Sequence, residues 1–270
     1  MTNKFCIIDS PFSDWISFIE QNKKIRFFRL YDILKYPKLK LETYKYKIIS
    51  ISINNYNSFN YQKNNIFNNN LANIDLLDNK SKFSEYMINN FRNNYAETYY
   101  YNYNNKLFIN KSDAVENKSD VVENKFIVKP NKGYAAINIL IINNIDYNNL
   151  PKNSIITKYI EHDIYYVGHF LILNGKVIDK VYFYNTNDDK NLIKKGKITD
   201  YKVTENLLSN DSIFDMIFDN LKYSGFVSID FTIKNDNIII FEINPRPGGS
   251  LIYNKKYFDK FIDTIILHSQ

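Results

Sequence analysis

Alternating apolar and polar residues near the C-terminal end of the chain predict a β-hairpin. Two runs rich in β-branched and aromatic residues, 225–234 and 238–244, flank Asn235, Asp236 and Asn237, which are typical turn residues. With those three residues as the loop, Lys234 lies opposite Ile238 and Asp230 lies opposite Glu242. One face of the hairpin is then wholly apolar and consists of Val227, Ile229, Phe231, Ile233, Ile239, Phe241 and Ile243. A slip of one residue would scatter this face, so the hydrophobic pattern fixes the register.

The opposite face of the hairpin gathers Asp230, Glu242 and Asn244 within reach of each other. Two carboxylates and an amide oxygen are the hard ligands that Mg²⁺ prefers, especially where phosphates also hold the ion. The alternative is a solvated hairpin with an acidic outer face. It leaves unexplained Arg246 and the turn at 247–250, which offers backbone N–H groups to an anion before an apolar helical pattern. The combination favours a functional site.

Residues 225–250 resemble the C-terminal signature of the ATP-grasp superfamily, which includes D-alanine–D-alanine ligase, biotin carboxylase and carbamoyl phosphate synthetase. The Asn-Pro-Arg form with trailing glycines is nearer to the carbamoyl phosphate synthetase and amino-acid ligase versions. The resemblance implies ATP and two Mg²⁺ ions as cofactors, with Asp230, Glu242 and Asn244 as the metal ligands. It also implies that Arg246 is catalytic and holds the acyl phosphate or the incoming substrate.

A second segment, 125–142, has two short apolar strands around Lys129-Pro130 and a turn that contains Gly133. A lysine that ends a buried strand needs an anionic partner, although a surface lysine at a strand end is the alternative. The segment resembles the ATP-grasp flap, which implies that Lys129 binds the phosphates and acts in catalysis. Lys80 similarly matches an earlier nucleotide-binding lysine. The single glycine in Gly133-Tyr134-Ala135-Ala136 departs from the glycine-rich family pattern and predicts a stiffer flap.

A third segment, 154–168, resembles the hinge that runs from the flap into the C-terminal core. The resemblance implies that Lys158, Tyr159 and Ile160 flank the adenine. The usual ribose-binding acid falls at a position occupied by Ile164, so Glu161, ranked first, or Asp163 is expected to replace it. Two further positions carry less chemistry. Thr157 stands where an acidic residue is usual, and His162 and His169 lack a metal-ligand companion at useful spacing, so both are interpreted as structural.

The N-terminal pattern predicts a β-α-β unit. Strands are predicted at Phe5–Asp9, Ile25–Leu30 and Lys47–Ile53, with helical spacing at 15–19 between the first two. A helix is predicted through 83–91, and Ser81 is a candidate for its N-cap, although Glu85 lies one residue further along than a capping box requires. The predicted fold is α/β (α+β): a small Rossmann-like N-terminal domain over 1–75 and an ATP-grasp domain over 76–270, with a flap subdomain at about 118–160.

Composition excludes several classes of protein. The 270 residues are 44 % hydrophobic, yet no apolar run approaches the roughly 18 residues of a membrane span, and the N-terminus is interpreted as a buried strand rather than a signal peptide. The lone Cys6 cannot form an internal disulfide and fits a cytoplasmic core position. The net charge of +6 is dispersed, which suits a nucleotide better than a nucleic acid. The near-repeat 111–117/118–124 is too short for a solenoid.

The sequence therefore predicts a Mg-dependent ligase that uses ATP to join a carboxylate to an amine, such as an amino acid or peptide, through an acyl phosphate. Two alternatives remain: an ATP-grasp kinase that phosphorylates a small molecule, and a nucleotide-binding module without turnover. The expected partner is a small molecule or peptide, with no nucleic acid and no membrane. The pattern leaves the oligomeric state open, including a dimer.

Overall fold

The computed structural model describes residues 5–9, 13–51, 65–67, 71–103, 106–109, 125–132, 138–186, 201–207 and 211–269. Gly133 and the rest of the flap tip, as well as the repeated segment 111–124, lie outside these ranges. In the described part of the chain, no helix is both long enough and apolar enough to cross a membrane.

The N-terminal part forms a parallel three-stranded sheet in the order β2-β1-β3. Its elements are β1 (Phe5–Asp9), α1 (Ser13–Glu20), β2 (Ile25–Arg29), α2 (Leu30–Lys35), α3 (Pro37–Thr43) and β3 (Lys47–Ile49). The predicted β-α-β unit is confirmed by the parallel pairing of β1 with β2. The third strand ends at Ile49, and the predicted residues 52 and 53 lie outside the described ranges.

The middle of the chain forms an antiparallel sheet in the order β5-β4-β8-β6-β7, preceded by two helices. The elements are α4 (Leu71–Asp78), α5 (Lys80–Asn90), a 3₁₀ turn (Arg92–Asn94), β4 (Thr98–Tyr103), β5 (Lys106–Ile109), β6 (Phe126–Pro130), β7 (Leu140–Ile142) and β8 (Ser154–Lys158). The pairing of β6 with β7 confirms the hairpin predicted around Lys129-Pro130.

The C-terminal part forms a second antiparallel sheet in the order β11-β10-β9-β12-β13. Its elements are β9 (Ile164–Leu173), β10 (Lys176–Thr186), β11 (Lys202–Thr204), α6 (Ser212–Leu221), β12 (Gly225–Lys234), β13 (Asn237–Asn244), α7 (Gly249–Ile252) and α8 (Lys255–His268). The described residues combine one parallel and two antiparallel sheets with helices that pack on them, which confirms the predicted α/β (α+β) class. The division at residues 75 and 76 stays a prediction.

The large C-terminal sheet is buried on both faces. One face packs on α4, α5 and α6 through Val227, Ile229 and Phe231 of β12. The other face packs on α8 and on the N-terminal elements through a cluster that joins Phe5 and Trp15 to Phe261. Cys6 is buried in the N-terminal sheet, as predicted for a core residue. Both faces exclude water, so a polar site can open only where the covering elements end.

The predicted β12–β13 hairpin forms, but its register differs from the prediction near the turn. Asp230 does lie opposite Glu242, whereas Lys234 pairs with Asn237 rather than Ile238. Asn235 and Asp236 both have positive φ, 50° and 62°, so they form a two-residue turn that suits the twist of the strands. A bulge after Asp230, in which Phe241 is the extra residue of β13, brings Asp230 opposite Glu242 despite the shorter turn.

The bulge corrects the predicted apolar face of β13. Ile238 and Ile240 are buried in the core, at 2 % and 0 % exposure, whereas Ile239 and Phe241 are only half-buried. An extra residue in one strand reverses the alternation beyond it, so Phe241 leaves the core face and joins the polar side of the hairpin.

The predicted N-cap Ser81 is also wrong. Asn79 caps α5, since its side chain accepts hydrogen bonds from the backbone N–H groups of Ser81 and Lys82. The hydroxyl of Ser81 instead donates to Oδ1 of Asn131 at the end of β6. This contact ties the first turn of α5 to the flap strand, which bears on the site below.

Candidate active site

A pair of acidic side chains lies at the centre of the candidate site. Asp230 on β12 and Glu242 on β13 face each other across the strand pair and are joined by a hydrogen bond. Asn244, two residues further along β13, donates from Nδ2 to Oε1 of Glu242 at 3.1 Å. Tyr165 on β9 donates its phenolic hydrogen to Asp230. The three predicted metal ligands are thus adjacent, and hydrogen bonds join all three.

Two lysines approach this pair from the middle part of the chain. Nζ of Lys80, the first residue of α5, lies 3.5 Å from Oε2 of Glu242. Lys129 on β6 is 8 % exposed and is electrostatically coupled to Glu242 and Asp230. Burial lowers the pKa of Lys129, an effect that these two acids oppose. The lysines predicted from separate motifs therefore converge on one carboxylate.

The two acids differ in protonation. Burial, repulsion by Glu242 and the hydrogen bond to it raise the pKa of Asp230 well above its usual range. Burial alone would also raise the pKa of Glu242, but Lys80, Lys129 and the hydrogen bonds from Asn244 and Asp230 lower it to about 2. The proton of the pair is therefore held by Asp230, because the two lysines favour the ionised form of Glu242 and the charge of Glu242 then opposes ionisation of Asp230.

This donor set fits a divalent cation. Asp230, Glu242 and Asn244 supply hard oxygen atoms from rigid neighbouring strands, which suits Mg²⁺. A bound divalent cation would favour the ionised form of Asp230, so that both carboxylates of the pair could serve as ligands.

Asn131 joins the two lysine-bearing elements. Its backbone carbonyl accepts from the N–H of Lys80 at 2.9 Å, and its side-chain amide donates to the carbonyl of Asn102 at 2.7 Å. With Ser81 bonded to its Oδ1 and its own N–H donating to Asn153 at 2.8 Å, Asn131 is 5 % exposed and bonded on every side. The end of the flap strand is therefore fixed to the start of α5.

Arg246 interacts electrostatically with Asp78, as Lys80 and Lys132 do. Burial raises the pKa of Asp78 at the end of α4, and the cations Lys132, Lys80 and Arg246 oppose this rise. Three cations from α5, the β6 end and the segment after β13 therefore converge on one acid.

Phe241, His162 and Tyr165 form an aromatic wall beside Lys129. The ring of Phe241 lies 5.3 Å from that of His162 and stacks on Tyr165 at 6.2 Å with an interplanar angle of 18°. Nζ of Lys129 lies 6.0 Å from the centre of the same ring. Phe241 thus lies between the hinge loop and the lysine, in a position suited to a flat apolar ligand.

The strand β8, with which the hinge segment begins, presents backbone groups beside the aromatic wall. The N–H groups of Lys158 and Tyr159 donate at 2.8 Å to the carbonyls of Glu97 and Lys125. Among the described residues, Ile160 is the first position after β8 whose N–H donates to no backbone carbonyl. Tyr159 contacts the wall through His162, with ring centres 6.4 Å apart. The adenine-flanking residues predicted from the hinge thus border the wall.

The two predicted ribose ligands follow β8, in the chain that leads to β9. Glu161 and Asp163 are exposed in the loop between β8 and β9. Glu161 is near the ring of Tyr159, since burial and then this carboxylate raise the pKa of the tyrosine. The structure does not decide between them, and the assignment stays a prediction.

Comparison with known proteins identifies the fold family. The ATP-grasp domain family matches residues 102–250, which is more than half of the chain. The chain belongs to the ATP-grasp family. The match spans β6, the hinge and the β12–β13 hairpin, and it ends at Ser250.

Solved structures share the ATP-grasp fold at low identity. A D-alanine–D-alanine ligase from Bacillus anthracis is 13 % identical, with 98 % of this chain and 96 % of that chain covered and a TM-score of 0.58. A carboxyaminoimidazole ribonucleotide synthase from Aspergillus clavatus, in complex with ATP, is 11 % identical over 98 % and 77 % of the two chains, with a TM-score of 0.59. An L-amino acid ligase from Bacillus licheniformis is 13 % identical over 93 % and 68 %, with a TM-score of 0.51. No curated protein matches the chain.

Three residues of the candidate site do not follow from the sequence pattern. The pattern predicts a core position for Phe241 because Ile238–Phe241 is continuously apolar and fits either phase of alternation. Asn131 and Tyr165 carry no local signal, because their partners are distant in sequence. The turn chemistry of Asn235-Asp236 was the available signal for Phe241, since a two-residue turn requires a bulge if Asp230 is to face Glu242.

Proposed function

We propose that this ATP-grasp protein is a Mg-dependent ligase that uses ATP to join a carboxylate to an amine. The observation that carries the proposal is the convergence of Lys80 and Lys129, from two motifs, on the buried acid pair Asp230 and Glu242. A nucleotide-binding module needs cations for phosphates, but it gains nothing from acids that must be neutralised next to them. The pairing of cations and acids is what Mg-assisted phosphoryl transfer requires.

The nucleotide is oriented by the two unlike ends of the site. The adenine is placed against Phe241 and the backbone of Ile160, and the ribose beside Glu161 or Asp163. The triphosphate then extends past Lys129 toward Lys80, the residue whose charge already lies 3.5 Å from Glu242. This direction puts the γ-phosphate near Arg246, at the end of the site opposite the aromatic wall.

The Mg²⁺ ions, held by Asp230, Glu242 and Asn244, would neutralise the triphosphate and align the γ-phosphate for transfer. A carboxylate oxygen of the substrate attacks the γ-phosphorus while the bond to the β-phosphate oxygen breaks, which gives ADP and an acyl phosphate. The amine then attacks the acyl carbon, loses a proton, and phosphate leaves with the bonding electrons. Arg246 orients the acyl phosphate with its planar fork of donors, and the amides of the turn at 248–250 stabilise the oxyanion.

The remaining parts of the chain complete the proposed enzyme. The domain over 1–75 borders the substrate pocket, and the flap at about 118–160 excludes water from the acyl phosphate. An amino acid or peptide is the substrate class that we favour, which is consistent with the D-alanine and L-amino acid ligases among the structural neighbours. Action on small molecules in the cytoplasm, as a monomer or a dimer, fits the same proposal.

Release of ADP from Mg-ATP, screened over amino acids and peptides, tests the proposal. A substrate pair that accelerates ADP release should also yield a hydroxamate when hydroxylamine replaces the amine, because hydroxylamine traps an acyl phosphate. The Asp230→Asn variant, matched in size, is the control and should release no ADP. Phosphorylation of a hydroxyl without hydroxamate would favour the kinase, and Mg-ATP binding without turnover on any substrate would favour the passive module.

A further inference from the structure

His169 lies on the same face of the C-terminal sheet as the acid pair, in the neighbouring row of paired residues. On β9, β12 and β13, the residues His169, Ser228 and Asn244 are directly paired across three neighbouring strands. The adjacent row, two residues along, contains Asp230 and Glu242. Because a strand rises about 3.3 Å per residue, the two rows are roughly 7 Å apart. The imidazole therefore faces the side of the sheet on which phosphoryl transfer is proposed.

The glycine turn after β13 folds back over this row. A Cβ built on Gly248 would lie 2.8 Å from Cε1 of His169 and 3.3 Å from the side chain of Ser228, so only glycine fits against the ring. Two residues later, Oγ of Ser250 lies 2.7 Å from Nε2 of His169. The turn thus rests on the imidazole at Gly248 and is bonded to it at Ser250.

The imidazole is neutral and has one definite role toward Ser250. The ring is completely buried, its Nδ1 has no hydrogen-bond partner among the described residues, and burial lowers its pKa to about 3. A buried N–H without an acceptor is much rarer than a buried acceptor without a donor, so we assign the hydrogen to Nε2. The Nε2–H group then donates to Oγ of Ser250, and the serine hydrogen is free to point elsewhere.

We propose that His169 is a positioning residue that fixes the hydroxyl of Ser250 as a hydrogen-bond donor to the oxyanion bound at the glycine turn, namely the transferred phosphoryl group or the released phosphate. The inference rests on the proposed function. A serine hydroxyl without this partner would rotate freely and could point away from the anion. The neutral ring sets its direction and adds no charge near the phosphates.

Inorganic phosphate, titrated by calorimetry into the protein loaded with Mg-ADP, probes this arrangement. The Ser250→Ala variant should bind phosphate roughly tenfold or more weakly, since it loses one hydrogen bond to a charged group. The His169→Phe variant should weaken phosphate about threefold to tenfold, while His169→Gln, which retains a donor near the Nε2 position, should recover most of the affinity. All variants should bind Mg-ADP as the wild type does.

A double variant separates positioning from packing. If His169 acts through Ser250, His169→Phe should weaken phosphate no more than twofold further in the Ser250→Ala background. Phe183→Leu is the matched control, because Phe183 is buried and packs edge-on against the same imidazole at 5.4 Å. It should leave phosphate affinity unchanged.

Three results would overturn the inference. They are an additive effect of the two substitutions, an equal loss in the Phe183→Leu control, and absence of phosphate binding in a wild type that binds Mg-ADP. A wild type that fails to bind Mg-ADP would instead contradict the proposed function itself, so the two failures are distinguishable. Thermal unfolding of each variant identifies any loss of phosphate affinity that comes from misfolding. If His169→Phe misfolds, recovery of phosphate affinity in His169→Gln supports the inference, and a full loss in that variant contradicts it.

Discussion

Replacing each acid of the central pair by its amide should change stability by very different amounts. Glu242→Gln and Asp230→Asn remove one ionisable group each, at nearly constant volume, from positions directly opposite one another. Glu242 is the charged member that holds two buried lysines, whereas Asp230 carries the shared proton. The first substitution leaves lysines without a counter-charge, and the second replaces a protonated acid by an isosteric neutral group.

The magnitude follows from the geometry. At 3.5 Å between Lys80 and Glu242, the Coulomb attraction is about 5 kcal/mol at an effective dielectric constant of 20, and desolvation offsets part of it. Removing one partner of a buried pair costs about 3–5 kcal/mol, and the 23 % exposure of the Glu242 side chain favours the lower end. We therefore expect Glu242→Gln to lower the free energy of unfolding by about 3 kcal/mol, and Asp230→Asn to change it by less than ~1 kcal/mol or to raise it.

The pH dependence has a definite sign. Because the pKa of Asp230 is raised in the folded state, the folded protein binds a proton that the unfolded chain releases above the ordinary pKa of aspartate. The stabilising contribution of this proton to the free energy of unfolding is therefore fully present at acidic pH and is lost as the pH rises toward the folded-state pKa of Asp230. Asp230→Asn should remove the part of the fall in unfolding free energy with rising pH that comes from Asp230.

The assay is urea unfolding of the protein without nucleotide or divalent cations, followed by circular dichroism from pH 4 upward. A loss of stability of the same size in both variants would refute the assigned protonation states. A larger loss in Asp230→Asn than in Glu242→Gln would show that Asp230 is the acid that pairs with the lysines. Retention of full stability in both would place the lysines away from the acids.

Two further substitutions test the cations. Lys129→Ala should weaken Mg-ATP binding, measured by calorimetry, by tenfold or more, since a charge-assisted hydrogen bond to phosphate is lost. Lys132→Ala is the matched control, because Lys132 is 63 % exposed and paired with Asp75. Equal effects of the two substitutions would contradict the role of Lys129 in phosphate binding. Arg246→Ala should keep most of the nucleotide affinity yet lower product formation with a cognate substrate by about 100-fold or more, with poor rescue by lysine; normal turnover would reduce Arg246 to a surface residue.

Local patterns predicted the elements that carry the site. The alternation over 225–244 predicted the hairpin and the pairing of Asp230 with Glu242, and the strands around Lys129 were predicted from a short apolar run. These predictions worked because each depended on residues close together in the chain. The pairing was nevertheless obtained from a three-residue loop, whereas the chain has a two-residue turn and a bulge that give the same offset at Asp230.

Contacts between distant segments could not be predicted in this way. Asn131 bonds to partners 29 and 50 residues away, and His169 bonds to Ser250 across 81 residues. No periodicity within a segment specifies such partners, since they depend on how the two antiparallel sheets and α5 pack together. The sequence thus predicted which residue types carry the chemistry, while the packing determines which of them are held in place.

The charges of the site also determine how nucleotide and cation should enter. Without a ligand, Glu242 is the ionised acid among two lysines, and Asp230 is neutral, so the cluster carries an excess of positive charge. A free Mg²⁺ ion would meet this excess and would have to displace the proton of Asp230. A triphosphate removes both obstacles, because it neutralises Lys80 and Lys129 and brings its own negative charge to the metal. We therefore expect Mg²⁺ to bind weakly alone and tightly as Mg-ATP, which makes nucleotide and metal binding mutually dependent.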